Sequence, residues 1–172
     1  FRHALSCIVF NAKMTDACDF PVKVTSITLG NFKNKATLSY DVSSTPGTFS
    51  WTMAGDASDK PYLLTINNGL LEDVNLKTIT NTYQSISTDN AFLMLLPQAI
   101  DETDEIKVTV EYQVTGNIQT QTITVPLNRI ISTLIAGQRY SINILVSTLA
   151  DLTLTCTVES WQQQAINVPE FK

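Results

Sequence analysis

The sequence predicts an all-β protein, an antiparallel β-sandwich with Greek-key connections, and three observations carry that prediction. Threonine, valine and isoleucine recur along the chain, residues that suit a pleated, half-buried surface. Turn-forming residues punctuate it at short intervals, as in a sandwich rather than in βαβ units. Apolar and polar residues alternate with a period of two over several stretches, while helical spacing is scarce. A length of 172 residues fits a single domain spanning 1–172.

The first strand is expected over Ala4–Ala12 and the second over Val22–Leu29. A turn at Gly30–Asn34 leads into Ala36–Val42, and Thr45-Pro46-Gly47 leads into Phe49–Met53. In that strand Phe49, Trp51 and Met53 share one face against Ser50 and Thr52, so Trp51 reads as core. Tyr62–Ile66 precedes Asn67-Asn68-Gly69. Ala91–Leu96 is apolar at nearly every position and is closed by Pro97, the pattern of a strand covered on both faces.

Ile106–Leu127 reads as a hairpin. Ile106, Val108, Val110, Tyr112 and Val114 alternate with Glu105, Lys107, Thr109, Glu111 and Gln113. Gly116-Asn117 supplies a two-residue loop with glycine first, as a type II′ turn requires. That loop sets Val110 opposite Ile123, Val108 opposite Val125 and Ile106 opposite Leu127, with Pro126 opposite Lys107 on the outer face. At most a short helix is expected near 129–136, where Ile130, Ile131, Leu134 and Ile135 recur at helical spacing between Asn128 and Gly137. The closing hairpin pairs the Tyr140–Val146 and Leu152–Val158 stretches, each half-buried.

Composition excludes several functions. Eleven Lys and Arg against 16 Asp and Glu give a net charge of −5 with no basic run, which argues against nucleic-acid binding. The longest apolar run, Ala91–Leu96, is far short of the roughly 20 residues that cross a bilayer as a helix. A chain whose first residues already read as a strand is expected to be a piece of a longer precursor.

Candidate chemistry is sparse. Cys7, Cys18 and Cys156 read as buried free thiols, with a Cys7–Cys156 bridge as the alternative if their strands are neighbours. His3 has no second histidine to complete a triad or a metal site. Asp101, Glu102, Asp104 and Glu105 could offer oxygen ligands to calcium, but lack the EF-hand spacing and read instead as a solvated turn. Asp56 and Asp59 form a weak glycosidase-like pair, and Trp51 and Trp161 are the candidates for stacking on sugars. No GxSxG, P-loop, GxGxxG or HExxH sequence is present, so no catalytic, cofactor or metal residue is assigned and an enzyme is not expected.

Three stretches resemble the fimbrillin-like (Mfa-like) proteins, the pilins and pilus-accessory lipoproteins of Bacteroidetes. FRHALSCIVFNAK (Phe1 to Lys13) resembles the family's F-x-H-x-L segment. LMLLPQ (Leu93 to Gln98) followed by EIKVTVEYQV resembles its LPQ-then-strand element. AGQRYSINILV (Ala136 to Val146) followed by CTVESW (Cys156 to Trp161) resembles its G-x-x-Y strand and closing V-x-x-W. A tryptophan that often precedes the G-x-x-Y glycine is absent, with Leu134-Ile135-Ala136 in its place.

The resemblance implies a lipid-anchored precursor of two transthyretin-like sandwiches, of which this chain is the soluble C-terminal one. It implies a non-enzymatic pilus subunit or tip adhesin that assembles by strand exchange at the cell surface, in the fimbrium or on the outer membrane. Partners would be other pilin or pilus-accessory subunits and a host or bacterial surface receptor. The short tail after Trp161, carrying Pro169, leans towards a tip or accessory role. A surface glycan-binding sandwich is the alternative.

Overall fold

The computed structural model describes residues 3–15, 22–43, 47–54, 59–65, 83–86, 92–148 and 151–161. Among these described residues eleven strands follow in order: β1 (Ser6–Met14), β2 (Val22–Lys33), β3 (Ala36–Asp41), β4 (Thr48–Met53), β5 (Asp59–Thr65), β6 (Gln84–Ser85), β7 (Leu93–Leu95), β8 (Glu105–Val114), β9 (Asn117–Pro126), β10 (Gln138–Thr148) and β11 (Asp151–Ser160). One sheet runs β11-β10-β1-β6 with β7 also paired to β1, a second runs β5-β2-β8-β9, and β3-β4 forms a separate ribbon. The all-β class is as predicted. One pairing inside it is not antiparallel: β1 and β10 run parallel, with Ile8 beside Tyr140 and Phe10 beside Ile142.

Both sheets contribute to one core. Ile8, Phe10, Ala12 and Met14 of β1 and Tyr140, Ile142, Ile144 and Val146 of β10 are buried with Val22, Val24, Ile27, Leu29 and Phe32 of β2 and Ile106, Val108 and Val110 of β8. The period-two pattern of β1, β8 and β10 sends these side chains to one face. In β2 the core residues follow intervals of two, three, two and three, which a regular strand cannot serve. Two bulges resolve this: the register against β8 shifts between Val24 and Ser26, and that against β5 between Leu29 and Phe32. Each adds one residue and returns the apolar set to the core side. Most of the expected Gly30–Asn34 turn therefore lies in a continuous strand that bulges between Leu29 and Phe32, and the link to β3 shrinks to Asn34-Lys35. Asn31 takes a left-handed φ of 67° there, a conformation asparagine tolerates, and its Nδ2 donates to the Thr103 carbonyl at 2.6 Å.

The β8-β9 hairpin forms with a different loop. Thr115 and Gly116 both have positive φ, 48° and 85°, the requirement of a type I′ turn, and Val114 faces Asn117. The register is thus two residues from the Gly116-Asn117 expectation. Val108 faces Ile123, Ile106 faces Val125, and Val110 faces Gln121 rather than Ile123. Pro126 lies opposite Glu105, not Lys107. A shift of two keeps every side chain on its predicted face, which is why the alternation was right and the pairs were not. The shift also frees Leu127 from the ladder; it is fully buried in the following turn, and its N–H donates to the Asp104 carbonyl at 2.8 Å.

Two further expectations contract. Ala91–Leu96 yields the three-residue β7, and Met94 is half exposed, so this strand is not covered on both faces. The helix expected near 129–136 reduces to a single 3-10 turn at Leu127–Arg129. Beyond it the backbone pairs elsewhere: Leu134 N–H donates to the Gln98 carbonyl at 2.8 Å, Gln98 N–H to the Leu134 carbonyl at 3.1 Å, and Ala99 bridges Thr133. Ile131 and Leu134 are buried as the spacing implied, but Ile135 is 54% exposed.

Candidate functional site

The motif stretches converge on one end of the β1-β10-β11 sheet. The parallel β1-β10 pair and the β10-β11 hairpin bring the starts of β1 and β10 together with the end of β11. Gly137, with φ of 73°, stands at the junction. Its N–H donates to the Leu5 carbonyl at 2.9 Å, and its carbonyl accepts the Trp161 N–H at 2.7 Å. The Trp161 indole stacks on the His3 imidazole with centroids 3.7 Å apart, and Phe92 meets the same indole edge-on at 6.1 Å. Ser6, fully buried, donates its hydroxyl to the Ile135 carbonyl at 2.9 Å.

Tyr140 and Gln98 complete the junction. The buried Tyr140 hydroxyl accepts the Ile135 N–H at 2.8 Å and donates to the Thr133 carbonyl at 2.9 Å, so one side chain replaces a missing backbone ladder. Burial pushes its pKa above the ordinary phenol value, partly offset by the Ile135 N–H. Gln98 accepts the Lys33 N–H at 2.9 Å and donates to the Lys33 and Leu96 carbonyls at 3.3 and 3.1 Å. It thereby ties the end of β2 to the segment before β8. The histidine, tyrosine, glutamine and tryptophan of the motif stretches hold backbone and rings together. The polar atoms of Tyr140 and Gln98 are bonded to backbone rather than turned into an open cleft. Sequence reasoning had no role for Gln98 beyond its place in the LPQ stretch, because its partners lie in another sheet.

The other candidates are scattered. Cys7 lies on β1 and Cys156 on β11, with β10 between them, and both are free thiols. Burial raises both: Cys7 against the opposing pull of Arg139, and Cys156 to about 11. Neither is poised as a thiolate nucleophile. Cys18 and Asp56 lie outside the described residues; Asp59 opens β5, and its side chain lies outside them too.

The acidic cluster is two things rather than one solvated turn. Asp101 is exposed, and the Thr103 hydroxyl and N–H hold its carboxyl below the usual range. Asp104 is buried, 4% exposed, and its carboxylate accepts the Asp101 N–H at 2.8 Å. It acts as a turn clasp that side-chain spacing alone could not distinguish from a solvated acid. Among the described residues no group of three or more His, Cys, Asp or Glu is placed to hold a metal.

Trp51 is half-buried, not core, because β3-β4 stands apart from the two main sheets. The expected alternation holds: Phe49, Trp51 and Met53 are the half-buried residues of β4. Its Nε1 donates to the Ala4 carbonyl at 2.7 Å. On the same ribbon face Leu38 pairs with Trp51 and Tyr40 with Phe49, yet Leu38 is 42%, Tyr40 54% and Val42 77% exposed. At the sheet ends, β11, β9 and β5 each have one flank with no strand among the described residues. On β11 the pattern turns outward: Leu154 is buried, Cys156 half-buried and Val158 52% exposed.

Among solved structures the fold resembles a candidate cell adhesion protein of Bacteroides uniformis, with 19% identity and a TM-score of 0.56 over 94% of this chain and 52% of the other. A candidate cell adhesion protein of Parabacteroides distasonis matches at 15% identity and a TM-score of 0.55, over 95% of this chain and 54% of the other. The chain therefore spans about half the length of either relative. No curated protein matches it. The fimbrillin-like family profile covers residues 1–161, a range that takes in the LPQ stretch and the F-x-H, G-x-x-Y and V-x-x-W stretches that meet at Gly137, and the chain belongs to the fimbrillin-like family.

Proposed function

We propose that the chain is a non-enzymatic pilus subunit or tip and accessory adhesin of the cell surface, assembled by β-strand exchange. The observation that carries the reading is the family match across residues 1–161. Flanks of β11, β9 and β5 that have no strand partner among the described residues support it, since an added strand needs backbone N–H and C=O groups at a sheet edge. On β11 the half-exposed Val158 and the half-buried Cys156 offer apolar side chains beside that edge.

In this reading the chain is the C-terminal, transthyretin-like half of a lipid-anchored precursor held at the outer membrane. Its partners are other pilin or accessory subunits and a surface receptor. Sugar stacking finds less support: the Trp161 face is occupied by His3, and Trp51 is tied to Ala4.

The test is deletion of the gene, followed by electron microscopy of fimbriae and a cell-adhesion assay. Loss of fimbriae or adhesion with unchanged metabolism is the expected result. Normal fimbriae and adhesion, with loss of growth on one glycan, would replace the pilus reading by a glycan-binding one.

A further inference from the structure

The β3-β4 ribbon presents an apolar face that its own fold leaves open. Ala36, Leu38 and Tyr40 of β3 lie beside Met53, Trp51 and Phe49 of β4, and Val42 follows at the same spacing in the sequence, one residue past the end of β3. Tyr40 and Phe49 pack ring to ring at 4.8 Å. The opposite face carries Thr37, Ser39, Asp41, Thr48, Ser50 and Thr52. Leu38, Tyr40 and Val42 nevertheless remain 42%, 54% and 77% exposed. A two-stranded ribbon is marginal in water unless something covers its apolar side, and clustered exposed apolar groups mark an interface.

The position of the ribbon indicates what covers it. Trp51, in the middle of the row, is hydrogen-bonded to the carbonyl of Ala4. The three residues ahead of Ala4 reach at most about 11 Å even when fully extended. Any body joined ahead of Phe1 is thus tethered beside this face, and so short a tether gives it a high effective concentration there. The solved relatives are about twice as long as the matched region, which leaves room for such a body.

We infer that the Leu38–Tyr40–Val42 face is the seat of a second β-domain preceding Phe1 in the same polypeptide, an inference that rests on the two-domain reading above. Domain–domain contacts within a chain are modest and part-polar, which suits a face of three exposed apolar side chains flanked by Thr and Ser. The ribbon then serves as a wedge between domains rather than as a part of either sandwich.

Hydroxyl-radical footprinting with mass spectrometry tests this on the 172-residue chain and on the full-length gene product. Leu38 and Tyr40 should be labelled at least fivefold more slowly in the longer protein, with Met94 and Ile118 unchanged. Leu38→Lys with Val42→Lys should restore labelling of Tyr40 in the longer protein, and leave the thermal midpoint of the 172-residue chain within about 2 °C. Limited proteolysis of the longer protein separates the two ways of failing. A protease-resistant body ahead of Phe1 with equal labelling of Tyr40 in both proteins would overturn the interface alone. Absence of any resistant body there would overturn the two-domain reading and the interface with it. Protection that appears in the 172-residue chain only as its concentration rises would assign the face to a second copy and overturn the inference as well.

Discussion

The Gln98 side-chain amide faces the Lys33 backbone as a neighbouring strand would, accepting its N–H at 2.9 Å and donating to its carbonyl at 3.3 Å. The Gln98 backbone meanwhile exchanges both hydrogen bonds with Leu134. A single residue therefore joins the last residue of β2 to the loop ahead of β10. With a third side-chain bond to the Leu96 carbonyl, Gln98→Ala should destabilise the protein by about 2–3 kcal/mol, since each half-buried partner loses a bond worth about 1 kcal/mol. Urea denaturation should show a lower midpoint with an unchanged slope. An unchanged midpoint would mean that water replaces the amide without loss.

Thr115 carries a left-handed φ of 48°, a position β-branched residues avoid and asparagine tolerates. Thr115→Asn should stabilise the hairpin by about 0.5–1 kcal/mol and raise the thermal midpoint by about 2–3 °C. A drop in the midpoint would show that the threonine makes a compensating contact.

Trp51→Ala should cost about 1–2 kcal/mol, less than the roughly 3–5 kcal/mol of a fully buried aromatic, because the indole is only half covered and contributes one hydrogen bond. Amide hydrogen exchange should quicken across β3 and β4 while β1, β8 and β10 keep their protection. Global loss of protection would place the ribbon within the main cooperative unit.

Burial lifts the Cys156 thiol from its ordinary 9.0 to about 11. A thiol is charged when deprotonated, so above pH 9 the unfolded chain gives up this proton before the folded one does. The contribution to stability is complete below pH 9 and is lost as the pH rises through about 11. Tyr140, also raised by burial, acts in the same direction at high pH. Denaturation midpoints measured from pH 8 to 11 should fall, and Cys156→Val should fall less steeply. Identical slopes for the two proteins would show that Cys156 ionises equally in both states.

The all-β class and the facing of most strands were legible because alternation is a local property. Ile106, Val108 and Val110 can be assigned to one face of β8 from their spacing alone, and they are buried there. Local pattern could not choose between hairpin registers two residues apart, since both keep the same faces. The backbone conformation of Thr115-Gly116 and the burial of Leu127 outside the ladder made that choice. It also could not tell a buried strand from a half-covered one: Trp51 alternates correctly, but its ribbon is a separate two-stranded sheet and leaves it half-buried. Likewise the F-x-H, G-x-x-Y and V-x-x-W stretches are visible as separate words, while their meeting at Gly137 depends on the parallel pairing of β1 with β10. That pairing joins segments far apart in the chain through backbone groups common to every residue, so side-chain pattern carries no record of it, and only the packed fold decides which strands become neighbours.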